Sequence, residues 1–263
     1  MTENRPILSV CEGVLRLGDL ASDAEQASAA GYTMMEVMVA EVEKAGLEKA
    51  SRILADAGLK VSAVAGTQAE SVGTGSRDLV LRSIEIAAVL GAPIVGFHPG
   101  TLGDLTHQEA AEHTREWFSA LGPRAAEAGV SLALEPIHPV MRNLAWVHTV
   151  RQAAPLVEGI PGACLMVDTG HTYWDPDFVA DFQRHLDLIK LVQVTNVDPV
   201  ALAGMRYERA GLASGDVRVD ELIRAFHGAG FRGVYELEAR IRMPRQDRQA
   251  FIASELAWFN SLF

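Results

Sequence analysis

Polar residues close a succession of apolar runs: His98 in VGFHPG, Glu135 in LALEPIHP, Asp168 in LMVDTGH, Gln193 in KLVQVTN and Glu238 in YELEA. Strand interiors are apolar, so such residues stand out. In a closed parallel barrel, the C-terminal strand ends converge on the mouth where that architecture keeps its active sites. The carboxylates Glu135, Asp168 and Glu238 repel one another if gathered there, and protonation or a cation must relieve them. A divalent metal is the simpler solution, because it leaves all three ionised as ligands.

Each residue also has a plainer explanation. Glu135 would serve as half of an ion pair with Lys or Arg, and Asp168 as the N-cap of a helix opening at DTGH. His171, three residues on, reaches the same mouth. Glu236 and Glu238 share strand parity, so one is a ligand and the other supports it; Glu238 lies nearer the rim. His98 reads as a site residue or a hydrogen-bonded core histidine, and His138 as a substrate contact or a loop cap. His107, His113, His148, His185 and His227 fall on helical patterns. The Trp117/Phe118 and Trp258/Phe259 pairs read as core packing.

The elements that must position these groups recur along the chain. Apolar runs occupy 7–10, 33–39, 60–65, 93–97, 130–134, 163–167, 188–194 and 233–237, separated by amphipathic helical stretches. Several runs are continuously apolar, as strands buried on both faces of a parallel sheet are. Between His107 and Ala128, the residues Ala110, Thr114, Trp117, Phe118, Leu121 and Ala125 share one helical face. Gly31, Gly58, Gly91, Gly129 and Gly230 stand just before strands, where helix C-cap glycines belong. Eight βα units in 263 residues, roughly 33 each, predict a single (β/α)₈ TIM barrel domain spanning 1–263. A doubly wound sheet would show a glycine-rich phosphate loop, and none is present.

Composition narrows the function. Net charge is 23 − 34 = −11, with Lys and Arg scattered, which disfavours nucleic acid. No run approaches the roughly 18 to 20 apolar residues of a membrane span, and MTENRPILSV lacks the features of a signal peptide. The two cysteines, Cys11 and Cys164, lie far apart in apolar surroundings and read as core residues of a reducing, cytoplasmic compartment. Only Arg142, Arg206 and Arg209 are candidate cations near the mouth and no glycine-rich anion loop is present, so an unphosphorylated small molecule is the expected substrate.

The order FHPG, LEPIHP, DTGH and VYELE resembles the sugar phosphate isomerase/epimerase group of the xylose isomerase-like barrels. That superfamily includes hydroxypyruvate isomerase, tagatose 3-epimerase-like enzymes, inosose dehydratases and apurinic-site endonucleases. The resemblance implies a divalent metal held by Glu135, Asp168, the seventh-strand residue and Glu238, with Glu135 and Glu238 also moving protons on opposite sides of the substrate. His171 resembles the histidine of a D-x-x-H motif that contacts substrate or a second metal. Arg209 resembles a substrate-touching arginine before a G-x-G turn, here Ala213-Ser214-Gly215. Glu36 resembles a substrate-pocket glutamate. Dimers and tetramers are common in the group, so a homo-oligomer is compatible with the resemblance.

The seventh strand departs from the group: Gln193 stands where most members place a histidine. VSAVAGTQ and Ala210 also lack the histidines that the endonuclease members require, which removes their zinc phosphodiester site. With the amide oxygen of Gln193, the expected ligand set is all oxygen, which favours Mn²⁺ or Mg²⁺ over Zn²⁺. The leading expectation is an isomerase or epimerase working through an enediolate. Its rivals are a metal-dependent lyase or dehydratase and a non-catalytic sugar-binding barrel.

Overall fold

The computed structural model describes residues 5–15, 18–68, 77–204 and 206–263; residues 1–4, the start of the N-terminal stretch read above, lie outside these. Eight parallel strands close a barrel: β1 Leu8–Cys11, β2 Met34–Met38, β3 Lys60–Gln68, β4 Ile94–His98, β5 Ser131–Leu134, β6 Ala163–Asp168, β7 Ile189–Val194 and β8 Val234–Leu237. Each strand pairs with its sequence neighbour, and β8 returns to β1. The barrel interior is packed with Ala63, Ile94, Ala133, Cys164, Met166 and Leu191. The outer face of the strands packs against the helices in a larger apolar layer.

Local chemistry fixes the helices. Thr106 and Glu109 form a reciprocal capping box that starts helix His107–Glu127, which buries all six residues assigned to its apolar face. Gly129 then turns the chain toward β5 with φ 72°, a conformation that any Cβ would strain. His148 departs from the helical pattern: it lies in the loop before the Thr149 N-cap, its Nδ1 2.8 Å from the Ile137 carbonyl. Both cysteines are free and buried. Among the described residues, no helix is long and apolar enough to cross a membrane.

Register sets the site. Asp168 lies opposite Gln193, Gln193 opposite Glu236, and Glu236 opposite Ser9, so β6, β7, β8 and β1 deliver polar side chains at one level. After β7 the chain forms a short antiparallel hairpin, Asn196–Val197 with Arg209–Ala210, which carries Arg209 back over the barrel. Asn196 anchors this excursion by donating to the carbonyls of Leu212 and Val217, both at 2.9 Å. A Cβ at Gly215 would lie 2.1 Å from Asn196 Oδ1, so the second glycine of the turn is required. Ala213 is exposed, which explains why the first can be lost.

Glu12, directly after β1, is buried and accepts the Met38 N–H at 2.6 Å. Burial raises its carboxyl from 4.5 to about 8. The neutral acid therefore contributes stability that is complete below pH 4.5 and is lost as pH rises through about 8. Between pH 5 and pH 9 the urea midpoint of the native protein should fall, by an amount worth on the order of 2–4 kcal/mol. Glu12→Gln should flatten that slope. Parallel pH profiles for the two proteins would contradict the assignment.

Candidate active site

Asp168 ends β6 and is fully buried. Its Oδ1 accepts the Gly170 N–H at 2.8 Å, capping the short helix Thr169–Thr172, while Oδ2 accepts from Arg209 Nη1 at 2.7 Å. The capping role and the site role thus coexist in one side chain. Gly170 is needed here because a Cβ would lie 2.4 Å from Thr195 and 2.7 Å from the Tyr207 hydroxyl. The helix it opens holds His171, whose ring stacks on Tyr207.

His171 Nε2 lies 3.8 Å from Glu135 Oε1 and 3.7 Å from Asp168 Oδ2. Arg209 Nη2 approaches the same nitrogen at 3.1 Å, so Nε2 is the acceptor and the proton sits on Nδ1. Burial first, and then the Arg209 guanidinium, lowers the ring to about 3. It is therefore neutral at ordinary pH, with a lone pair facing the carboxylates. Glu135, Asp168 and His171 each offer a ligand atom within 4.8 Å of the others, and all three are buried. This group has the geometry to hold a metal ion.

Glu238, bridged to Asp168 through Arg209, is clamped by two arginines. Its Oε2 accepts from Arg209 Nη1 at 2.7 Å and its Oε1 pairs with Arg240 Nη2 at 2.6 Å. Burial opposes the charge on Arg209, but Asp168 and Glu238 outweigh it and hold the guanidinium charged. The clamp corrects one step of the sequence argument. Carboxylate repulsion does not by itself require a metal, because Arg209 bridges Asp168 and Glu238 and Arg240 covers Glu238. The group that could hold a metal ion is Glu135, Asp168 and His171, while Glu238 is turned toward Arg209 and Arg240.

Gln193 Nε2 donates to Glu236 Oε1 at 3.1 Å, and Ser62 Oγ, itself 2.7 Å from Ser9 Oγ, donates to Glu236 Oε2. Burial raises Glu236 to about 7. The chain of bonds fixes the amide orientation and leaves Gln193 Oε1 buried without a partner. His98 Nε2 meets Glu135 Oε2 at 2.7 Å. Glu36 is buried with one carboxylate oxygen unpartnered, and burial, then Glu236, raises its carboxyl. A cavity of about 140 Å³ is lined by Glu36, His98, Glu135, His171, Gln193, Arg209, Glu238 and Arg240.

His138 does not line that cavity. Its Nδ1 accepts the Val140 N–H at 3.1 Å, capping the turn Pro139–Met141, and its ring packs against Tyr173 and Tyr207. Sequence reasoning missed Arg240, Ser9 and Ser62. Arg240 follows Glu238 by two residues, and the two serines interrupt otherwise apolar strands; those were the available signals.

The profile of a family described as xylose isomerase-like TIM barrel matches residues 24–262. No curated protein matches the chain. Among solved structures, the protein SMc04130 from Sinorhizobium meliloti 1021 is 25% identical with a TM-score of 0.83, covering 97% of each chain. The 3-keto-D-glucoside 4-epimerase YcjR from E. coli is 15% identical, with a TM-score of 0.78 over 97% of this chain and 99% of that one. The IOLI protein, solved with a zinc atom, is 16% identical, with a TM-score of 0.79 over 97% and 98%.

Proposed function

The chain belongs to the xylose isomerase-like TIM barrel family, and on that premise we propose that it is a divalent-metal-dependent isomerase or epimerase of a small keto-sugar-like substrate. The observation that carries the proposal is the buried Glu135–Asp168–His171 group beside a clamped Glu238, with Glu135, His171 and Glu238 lining one cavity. The fold neighbours lend support, one being an epimerase of a keto-glucoside and another carrying zinc.

The donor set suits a divalent cation. Glu135, Asp168 and His171 would hold it, and the unpartnered Gln193 oxygen is available as a fourth donor. Three oxygens against one nitrogen keep the preference on Mn²⁺ or Mg²⁺ over Zn²⁺. When bound, the ion supplies a Lewis acid for a substrate carbonyl and its adjacent hydroxyl.

The protein's own groups do the rest. Glu135 and Glu238 act as the proton-transfer pair, one removing the proton α to the carbonyl and the other returning one. Return to the opposite face gives epimerisation; return to the neighbouring carbon through an enediolate gives isomerisation. His98 orients Glu135 through their 2.7 Å bond, and Arg209 and Arg240 orient Glu238. His171, neutral, would offer the ion its Nε2 lone pair in place of the 3.1 Å contact from Arg209 Nη2. His98, Glu36 and Arg209 line the cavity and would contact the substrate; His138 would act only through the turn it caps.

Incubation with Mn²⁺ and a panel of ketoses in D₂O, read by NMR, tests the reading. Deuterium should enter at an α-carbon without loss of water. Exchange accompanied by water loss would make the protein a lyase, and binding without exchange would make it a non-catalytic sugar-binding barrel; either overturns the proposal.

A further inference from the structure

Taking that reading as its basis, we infer that the substrate carries an oxyanion, a phosphate or a carboxylate, seated outside the carboxylate cavity between Arg206 and Arg242. A second cavity, about 450 Å³, adjoins the first and shares Met141, Arg209 and Arg240 with it. The shared residues leave a group attached to a substrate in the inner cavity a route into this vestibule.

The charges of the vestibule are unequally committed. Arg209 and Arg240 are used by Asp168 and Glu238. Asp198 is used as a helix cap, accepting the N–H groups of Val200 and Ala201 at 2.8 and 3.1 Å. Arg206 faces Glu208 only at 3.7 Å, with both side chains more than half exposed, a pairing that water weakens. Arg242 has no hydrogen bond or ion pair among the described residues. What remains is the unpaired Arg242 with Arg206, which Glu208 holds only weakly, in a cavity also lined by Asp198 and in a protein of net charge −11, where an anion is otherwise repelled at long range.

Their placement suits an oxyanion. Arg206 belongs to the excursion after β7 and Arg242 to the loop after β8, and barrel phosphate sites are frequently built from the loops after strands 7 and 8. The guanidinium fork matches phosphate and carboxylate geometry. The sequence reading favoured an unphosphorylated substrate and did not count Arg242. Arg142, which was counted, lines neither cavity.

The test compares fructose, fructose 6-phosphate and fructuronate by calorimetry in the presence of Mn²⁺, with inorganic phosphate titrated separately. At least one charged ketose should bind about tenfold or more tighter than fructose, and the Arg206→Gln/Arg242→Gln protein should lose that ratio. A gain confined to the phosphate assigns a phosphorylated substrate; equal gains assign a general oxyanion site. Fructose binding as tightly as both charged forms, or a ratio that survives the double substitution, overturns the inference while leaving the sugar reading intact. If no ketose binds, phosphate decides: binding that depends on the two arginines keeps the subsite and removes the sugar reading. Absence of phosphate binding removes both.

Discussion

Arg209→Met should cost the metal-free protein about 3–5 kcal/mol, because it strips two buried carboxylates of their shared partner at once. Arg209 Nη1 sits 2.7 Å from both Asp168 Oδ2 and Glu238 Oε2, and neither acid is appreciably exposed. Asp168 still caps its helix by accepting the Gly170 N–H, and Arg240 still covers one oxygen of Glu238, so the helix and loop remain anchored. The loss is therefore electrostatic. For a chain of this size it lowers Tm by roughly 10 °C. Added Mn²⁺ should return part of the loss, since ligand binding to the native state stabilises it. Arg209→Lys should recover only a fraction, because a single ammonium lacks the fork that reaches both acids. A melting temperature within a degree or two of the native protein would mean that the bridge carries no stability.

Glu135→Gln and Glu238→Gln should each reduce α-proton exchange by about 10²–10⁴-fold, the usual contribution of a positioned acid or base. Their metal affinities should separate. Glu135 belongs to the Glu135–Asp168–His171 group, so its replacement weakens ion binding along with turnover. Glu238 is turned toward Arg209 and Arg240, so its replacement leaves ion binding largely in place and removes chemistry alone. Circular dichroism checks that both proteins fold. Retained exchange in both variants would remove the proton-transfer assignment, and equal loss of metal in both would return Glu238 to the ligand set.

The barrel was legible because its signals are local and repeated. Each apolar run became a strand within a residue or a few of its expected bounds, and helix His107–Glu127 buries the face its periodicity marks. Register then brings the polar strand ends Asp168 and Gln193 to one level, so they could be singled out from their positions in the runs, as Glu238 was. The counter-charges were not legible in the same way. Arg209 reaches the carboxylates only because a hairpin folds back after β7, and Arg240 only because the chain turns sharply after Glu238. Those are tertiary consequences of loops, where sequence pattern says least. The same holds for the amide of Gln193: its residue type was readable, but the Ser9–Ser62–Glu236 chain that aims it joins β1, β3, β7 and β8.

Direct titration with Mn²⁺, followed by electron paramagnetic resonance, bears most closely on whether Glu135, Asp168 and His171 hold a divalent cation. One ion should bind per chain, and His171→Ala, which leaves the Arg209 bridge standing, should weaken it a hundredfold or so. No stoichiometric ion in the native protein, or unchanged affinity in the variant, would contradict it.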